Sequence, residues 1–331
     1  MSDKKELKEQ LREASKAGSI EVIKKILQIV DGTDEDLWPS LMLACENGHA
    51  EVVRILVSAG AHVNDQNEDG TSSLMLACTN GHAEVVRILV SAGAHVNHRT
   101  EDLMPSLMRA CENGHAEVVK ILVSAGAHVN DQNEDGWSSL MLACMNGHAE
   151  VVRILVSAGA HVNHRTEDGW SSLMEACGNR HAEVVRILVS ADAQVNHQSK
   201  DGWSSLMLAC CNGDVEVVRI LVSAGAQVNL QDEDGQTSLM WACEYGDAEV
   251  VRILVSAGVH VNHQSKYGDT ALHWAARRDH GGCVKLLLSI PGIDANLVNH
   301  DGQTPLKLAT DYEVLTMLQK YTTSCEDQDS K

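Results

Sequence analysis

The chain has 331 residues, 44% of them hydrophobic, yet no Phe and only 3% aromatics. Its core must therefore come from Leu, Val, Ile, Ala, Met and Cys, which suits close helix packing better than a sheet sandwich. A formal net charge of −20 argues against a nucleic-acid or anionic-membrane surface, because phosphate binding needs a basic patch that releases counterions. No apolar run approaches the roughly 20 residues that span a bilayer, and Met1 to Val30 is charged and helix-patterned without the apolar core of a signal peptide. A soluble, intracellular chain is expected.

From the N-terminus, Lys4 to Val30 reads as a capping segment. Leu11, Ala14, Gly18, Glu21, Val22 and Ile26 precede Leu41, Ala44, Gly48, Glu51, Val52 and Leu56 at a constant offset, and the other face carries Lys4, Lys5, Lys8, Arg12, Lys16 and Lys24, as a terminal repeat with one solvated side should. The motif Ser-Leu-Met-x-Ala-Cys then begins at Ser40, Ser73, Ser106, Ser139, Ser172, Ser205 and Ser238, a fixed period of 33 residues. A diverged eighth copy is Ala271-Leu272-His273-Trp274-Ala275-Ala276. The spacing then stretches by one residue near Pro291 and Gly292, so that Pro305-Leu306-Lys307-Leu308-Ala309 opens the last copy. The boundaries expected are a cap over 1–34, eight repeats over 35–300, a truncated cap over 301–321 and a disordered polar tail over 322–331.

The second copy shows the local physics. Ser72 can cap a short helix through Ser73-Leu74-Met75-Leu76-Ala77-Cys78, and Asn80-Gly81 supplies a left-handed stop. A second helix is expected over about Ala83 to Ser91, burying Val85, Val86, Ile88 and Leu89 and exposing Glu84 paired with Arg87. Beyond Gly93 a polar extended loop, His95 to Asp102, leads to the next copy. Helices of about two turns do not stand alone, so each copy must bury its face on its neighbours.

These residues resemble an ankyrin repeat, with its Asp-Gly-x-Thr-Pro-Leu-His-x-Ala-Ala, Asn-Gly-His-x-Glu-Val-Val and Gly-Ala-x-Val-Asn segments, over about residues 4 to 320. The resemblance implies an all-α ankyrin-repeat solenoid of stacked helix-turn-helix units joined by extended hairpin loops, acting as a non-catalytic protein-interaction scaffold. The chain departs from the family form in three ways. Ser replaces the helix-opening Pro, Met replaces the family His at Met42, Met75, Met108, Met141, Met174, Met207 and Met240, and Cys replaces the second Ala. Some hydrogen bonds of the family's turn are thereby put in question.

Seven of the ten cysteines recur at one position per repeat. Neighbouring copies would lie about one helix-packing distance apart, ~8–10 Å, beyond the ~7 Å reach of a disulfide. They are expected as small buried hydrophobes in a reducing compartment. The methionine row reads as core filler. His49, His82, His115, His148 and His181 sit beside the short turn, where the resemblance implies a structural role. His62, His95, His128, His161 and His260, with the His-Val-Asn-His pairs His95/His98, His161/His164 and His260/His263, read as solvated loop residues. Rows ~10 Å apart cannot converge on a zinc ion, so no metal or cofactor is expected. Phosphate-loop, nucleophile-elbow and His-Glu-x-x-His motifs are absent from the sequence, and no enzyme activity is expected.

The functional signal lies where the copies disagree. Second helices are nearly identical, whereas three positions around the first helix vary: after the turn, inside the helix and one turn later. Such sites accept Leu, Arg, Glu and Trp alike, so they are not expected in the core, and in the family they lie on the concave, partner-facing surface. The candidate partner-binding residues are Trp38, Leu43, Leu76, Met104, Arg109, Trp137, Leu142, Met145, Trp170, Glu175, Trp203, Leu208, Trp241 and Trp274. The expected partner is a protein, with no nucleic acid and no membrane, bound by a monomer. A constant framework with varied surface positions fits both a natural adaptor grown by duplication and a selected binder. A structural or elastic spacer held by its ends is the competing class.

Overall fold

The computed structural model describes residues 2–29 and 34–329. Among them are helices and isolated bridges but no strand. The chain divides into two compact units, Met1–His164 and Arg165–Lys331. The first unit has α1 (Ser2–Lys16), α2 (Ile20–Ile29), α3 (Asp34–Glu46), α4 (Ala50–Ser58), α5 (Ser73–Thr79), α6 (Ala83–Ser91), α7 (Ser106–Glu112), α8 (Ala116–Ser124), α9 (Ser139–Met145) and α10 (Ala149–Ser157). The second unit has α11 (Ser172–Gly178), α12 (Ala182–Ser190), α13 (Ser205–Cys211), α14 (Val215–Ser223), α15 (Ser238–Tyr245), α16 (Ala248–Ser256), α17 (Ala271–Arg277), α18 (Gly281–Leu288), α19 (Pro305–Leu308) and α20 (Tyr312–Asp329). Within each unit, odd-numbered helices form one row and even-numbered helices a second, each helix packing on its own partner and on its neighbours in the row.

Local chemistry accounts for the short helices. Ser72 Oγ accepts the Met75 N–H at 3.3 Å and starts α5. Asn80 donates to the Leu76 carbonyl at 2.9 Å, and Gly81 turns the chain out at φ 76°. The same serine cap opens α9, α11 and α13. Among the described residues only α17 keeps the two-way family cap, in which Thr270 Oγ1 accepts from His273 N and the Thr270 N–H donates to His273 Nδ1. At Met75, Met141, Met174 and Met207 the first of these bonds is kept and the second lost, while α7, opened by Pro105, and α15, opened by Thr237, have no side-chain cap. In exchange Met75, Met108, Met141, Met174 and Met207 fill the core completely.

Leu74, Ala77, Cys78, Val85, Val86 and Leu89 are buried, at about 1.5–3 kcal/mol for each large apolar side chain. The described cysteines form no disulfide, and burial pushes the thiols of Cys45, Cys78, Cys111 and Cys177 far up. On the outer row Glu84 lies 3.5 Å from Arg87 as expected, but Arg54 and Arg87 also reach forward to Glu84 and Glu117 of the next copy. Exposed pairs of this kind contribute ~0–1 kcal/mol each.

Polar side chains tie one copy to the next. Asn64 Oδ1 accepts the His95 N–H at 2.7 Å while its Nδ2 donates to the Gly93 carbonyl at 3.1 Å. Asn97 and Asn130 repeat this clamp in the first unit, and Asn196 and Asn229 in the second. The short-turn histidines reach backwards, His82 Nε2 donating to the Glu46 carbonyl and His115 to that of Thr79, both at 2.9 Å. A Cβ at Gly81 would come within 2.5 Å of the His115 ring, so the turn glycine is also the space this imidazole occupies.

Three expectations change. His98, His164 and His263 are not solvated, since each Nε2 donates to the carbonyl of the preceding hairpin glycine, Gly70, Gly136 or Gly235, at 2.9–3.1 Å. His62 and His128 are exposed loop residues lying near Asp65 and Asp131. The stretch from Thr322, expected as a disordered tail, continues α20 to Asp329, because neither Gly nor Pro interrupts it and Thr322 and Thr323 donate back to the Leu318 and Gln319 carbonyls; residues 330–331 lie outside the described ones. Finally, α3 begins at Asp34, so Trp38 lies inside a helix rather than after a turn. Leu37 stands where most other copies carry a turn glycine, and its side chain is buried. The cap expected up to Val30 meets the first repeat across residues 30–33, which are outside the described residues.

The same Glu-Asp-Leu replacement recurs at Leu103, which is forced to φ 55°, whereas Gly70 and Gly136 hold that place in adjacent copies. A left-handed leucine costs about 1 kcal/mol. Leu103→Gly is expected to raise unfolding stability by about 1 kcal/mol, read as a higher urea midpoint at unchanged m-value; a lowered midpoint would show that Leu103 packing outweighs the strain.

Candidate functional site

At several turns the variable residue is held by its backbone rather than its side chain. The Trp137 N–H donates to Asn133 Oδ1 at 2.8 Å, the Trp170 N–H to Thr166 Oγ1 and the Trp203 N–H to Ser199 Oγ at 3.1 Å, and the Gln236 N–H to Asp232 Oδ1 at 2.8 Å. Asn, Thr, Ser and Asp all serve because each offers an oxygen four residues back. The side chain that follows is therefore free to change without disturbing the turn.

In the first unit Trp38, Leu43, Leu76, Met104, Arg109, Trp137 and Met145 are half-buried, and Leu142 is buried. Arg109 turns back on its own repeat, donating to Thr100 Oγ1 at 3.2 Å and lying 3.8 Å from Asp102 Oδ2. The pairing with Thr100, with help from the Met104 N–H and Arg109, holds the Asp102 carboxyl below the usual range. In the second unit Trp170, Trp203, Leu208, Trp241 and Trp274 are half-buried, while Glu175 is only 8% exposed. The expectation that all these positions lie outside the core thus fails at Leu142 and Glu175, and the tryptophans are partly covered rather than fully exposed. Trp203 shields its ring on Trp241 of the next repeat.

Ring contact joins Trp203 to Trp241, with centroids 4.7 Å apart at 33°, and Trp241 to Tyr245, 6.4 Å apart at 22°. The Trp241 Nε1–H donates to Asp232 Oδ2 at 3.1 Å. Burial lifts the Asp232 carboxyl above its ordinary range despite that bond, and lifts the neighbouring Cys211 thiol to about 12, with Glu244 and Asp232 adding to the rise. One repeat on, the Arg277 guanidinium lies 4.7 Å from the Trp274 ring centroid and its Nη2 donates to both Asp269 oxygens at 3.0 Å. Sequence reasoning missed Tyr245 and Asp232. The signal for Tyr245 was its place four residues after Trp241 on one helix, which puts both rings on one face.

No group of three or more His, Cys, Asp or Glu residues that could hold a metal ion occurs among the described residues. Shallow depressions, one of about 350 Å³, lie between second helices, lined by residues such as Arg219, Val222, Glu249 and Ile253, away from the candidate positions. No described helix is long and apolar enough to cross a membrane.

A family model described as ankyrin repeats in three copies matches residues 11–100, 107–199, 191–265 and 257–329, and a second, described as ankyrin repeats in many copies, matches residues 81–123. The chain belongs to the ankyrin repeat family. Among solved structures it is similar to the human ASB11 ankyrin repeat domain, with 28% identity and a TM-score of 0.61 over 66% of this chain and 96% of that one. No curated protein matches it. Ankyrin repeats are protein-interaction modules, typically non-enzymatic, and the varied positions of this array are those of the turns and first helices.

Glu175 carries a measurable consequence. Burial holds its carboxyl protonated up to about 7, against 4.5 when solvated. The unfolded chain releases this proton first, so stability falls as pH rises from about 4.5 to 7 and levels off above. Glu175→Gln is expected to match the wild type near pH 4 and to be more stable by about 1–3 kcal/mol at pH 8, read from urea unfolding at both pH values; equal differences at both would show that the carboxyl is solvated.

Proposed function

We propose that this ankyrin array is a non-catalytic scaffold that docks a protein partner on the face formed by its hairpin turns and first helices. The observation that carries this reading is the uncoupling of frame and side chain at the turn positions. Backbone bonds to Asn133, Thr166 and Ser199 hold the turns at Trp137, Trp170 and Trp203, while Thr71 occupies the same place in another copy with the same bond to Asn67. Tryptophan is not needed to build the turn, so its recurrence there fits recognition, where a few large anchors supply most of the binding energy. The net charge of −20 supports a protein rather than nucleic acid as partner. The undisulfided, buried cysteines fit an intracellular, reducing setting.

Changing Trp137, Trp170 and Trp203 together to Thr, the residue of the sibling turn, is expected to weaken partner binding by more than about tenfold and to leave the folded helical circular-dichroism spectrum unchanged. A pull-down from cell extract compared between the two proteins reads this. Partner recovery equal to wild type from an equally folded variant would remove these residues from the interface.

A further inference from the structure

Trp241 and Trp274 hold the same position in successive repeats, and their surroundings differ in where the charges lie, since Asp269, Arg277 and Arg278 have Gln236, Glu244 and Tyr245 as counterparts. At Trp274 the repeat supplies its own cation, the Arg277 guanidinium over the indole, answered by Asp269. Asp269 is in turn fixed by Asn299, whose Nδ2 donates to it at 2.9 Å. At Trp241 the counterpart of Arg277 is Glu244, already paired with Arg278 at 2.8 Å. Ring and carboxylate are both present there, with Asp232 bonded to the indole N–H, but among the described residues the cation over a ring is at Trp274 and not at Trp241. Trp203 and Tyr245 extend the aromatic surface on either side, and Tyr245 is 55% exposed.

We propose that the ladder Trp203, Trp241 and Tyr245 is a docking site for an arginine side chain on a basic partner segment, with Asp232 as its countercharge. This rests on the reading of the turn and first-helix face as the docking surface. The arrangement at Trp274 shows within the same chain that an arginine can lie against this indole; its aspartate, Asp269, has Gln236 as counterpart, so at Trp241 the countercharge comes instead from Asp232, which is already bonded to the indole N–H. Arginine suits the site better than lysine, because a planar, weakly hydrated guanidinium stacks on rings and an ammonium keeps its water. The overall charge of −20 draws a basic segment towards the protein, and Asp232 is a carboxylate already partly stripped of water.

The test is isothermal titration calorimetry of the full chain with a hexa-arginine peptide at about physiological salt. Two substitutions borrow residues that sibling copies carry at the same positions. Asp232→Asn keeps the turn, since Asn67 and Asn133 accept the same backbone N–H groups, and Trp241→Leu installs the residue of Leu208. Glu216→Gln, on the outer helix row, removes one charge away from the ladder. Each of the first two is expected to weaken hexa-arginine binding about tenfold, and Glu216→Gln by less than about twofold. Hexa-lysine is expected to bind more weakly than hexa-arginine. The proposal is overturned if hexa-arginine does not bind, if Asp232→Asn and Trp241→Leu behave like Glu216→Gln, or if hexa-lysine binds equally well. Partner binding that still depends on Trp137, Trp170 and Trp203 while hexa-arginine is inert would leave the docking face standing and remove the arginine site alone.

Discussion

Asn64 belongs to one repeat but satisfies the backbone of the next, accepting from His95 N and donating to the Gly93 carbonyl. The same asparagine clamp recurs through each unit and is matched by histidines that reach backwards to the end of the preceding first helix. The rest of the structure depends on these neighbour bonds and on the apolar faces they hold in register. A helix of seven or nine residues, such as α5 or α6, is too short to persist in water, and the extended loops make only isolated bridges within themselves. Stability is thus a property of adjacent pairs of repeats.

This dependence separates two jobs along each repeat. Side chains facing the neighbours, the Leu, Met, Ala, Cys and Val of the helix pair, are held to one answer by close packing, because a change of one methylene is felt across the interface. Turn residues such as Thr71, Trp137 and Trp203 hold their turns through the backbone N–H whatever the side chain. The chain therefore repeats its interior almost letter for letter and varies its rim.

Departures from the pattern show what each rule contributes. Arg180, Asp192 and Asp279 occupy left-handed positions at φ 54–63° that most copies give to glycine. Asp279 repays its strained backbone by binding Thr310 and Asp311 of the closing module, which also holds its carboxyl low. Glu175 is the reverse case, a carboxyl in a row otherwise filled by Leu, Arg and Trp, where burial keeps it protonated to about 7.

The period, the limits of the regular copies' helices and most of the core were legible in the residues, whereas the start of α3, the reach of α20 and the burial of Leu142 and Glu175 were not. The span of α6 and the cap at Ser72 follow from Ala83 to Ser91 and from Ser72 itself, because capping and 3.6-residue periodicity act within a few residues of chain. Local rules also covered the loss of the family histidine to methionine. They could not reach across repeats. That His98 donates to Gly70, that Trp203 meets Trp241, and that Leu142 and Glu175 are buried while Leu76 and Leu208 are only half so depend on atoms in the neighbouring repeats. Sequence by itself determined the repeat, its helices and which positions vary, since these rest on short-range backbone and packing preferences. Only the tertiary structure decided which varied side chains are covered, paired or left open, because burial and charge pairing are set by the neighbour that stacking brings alongside.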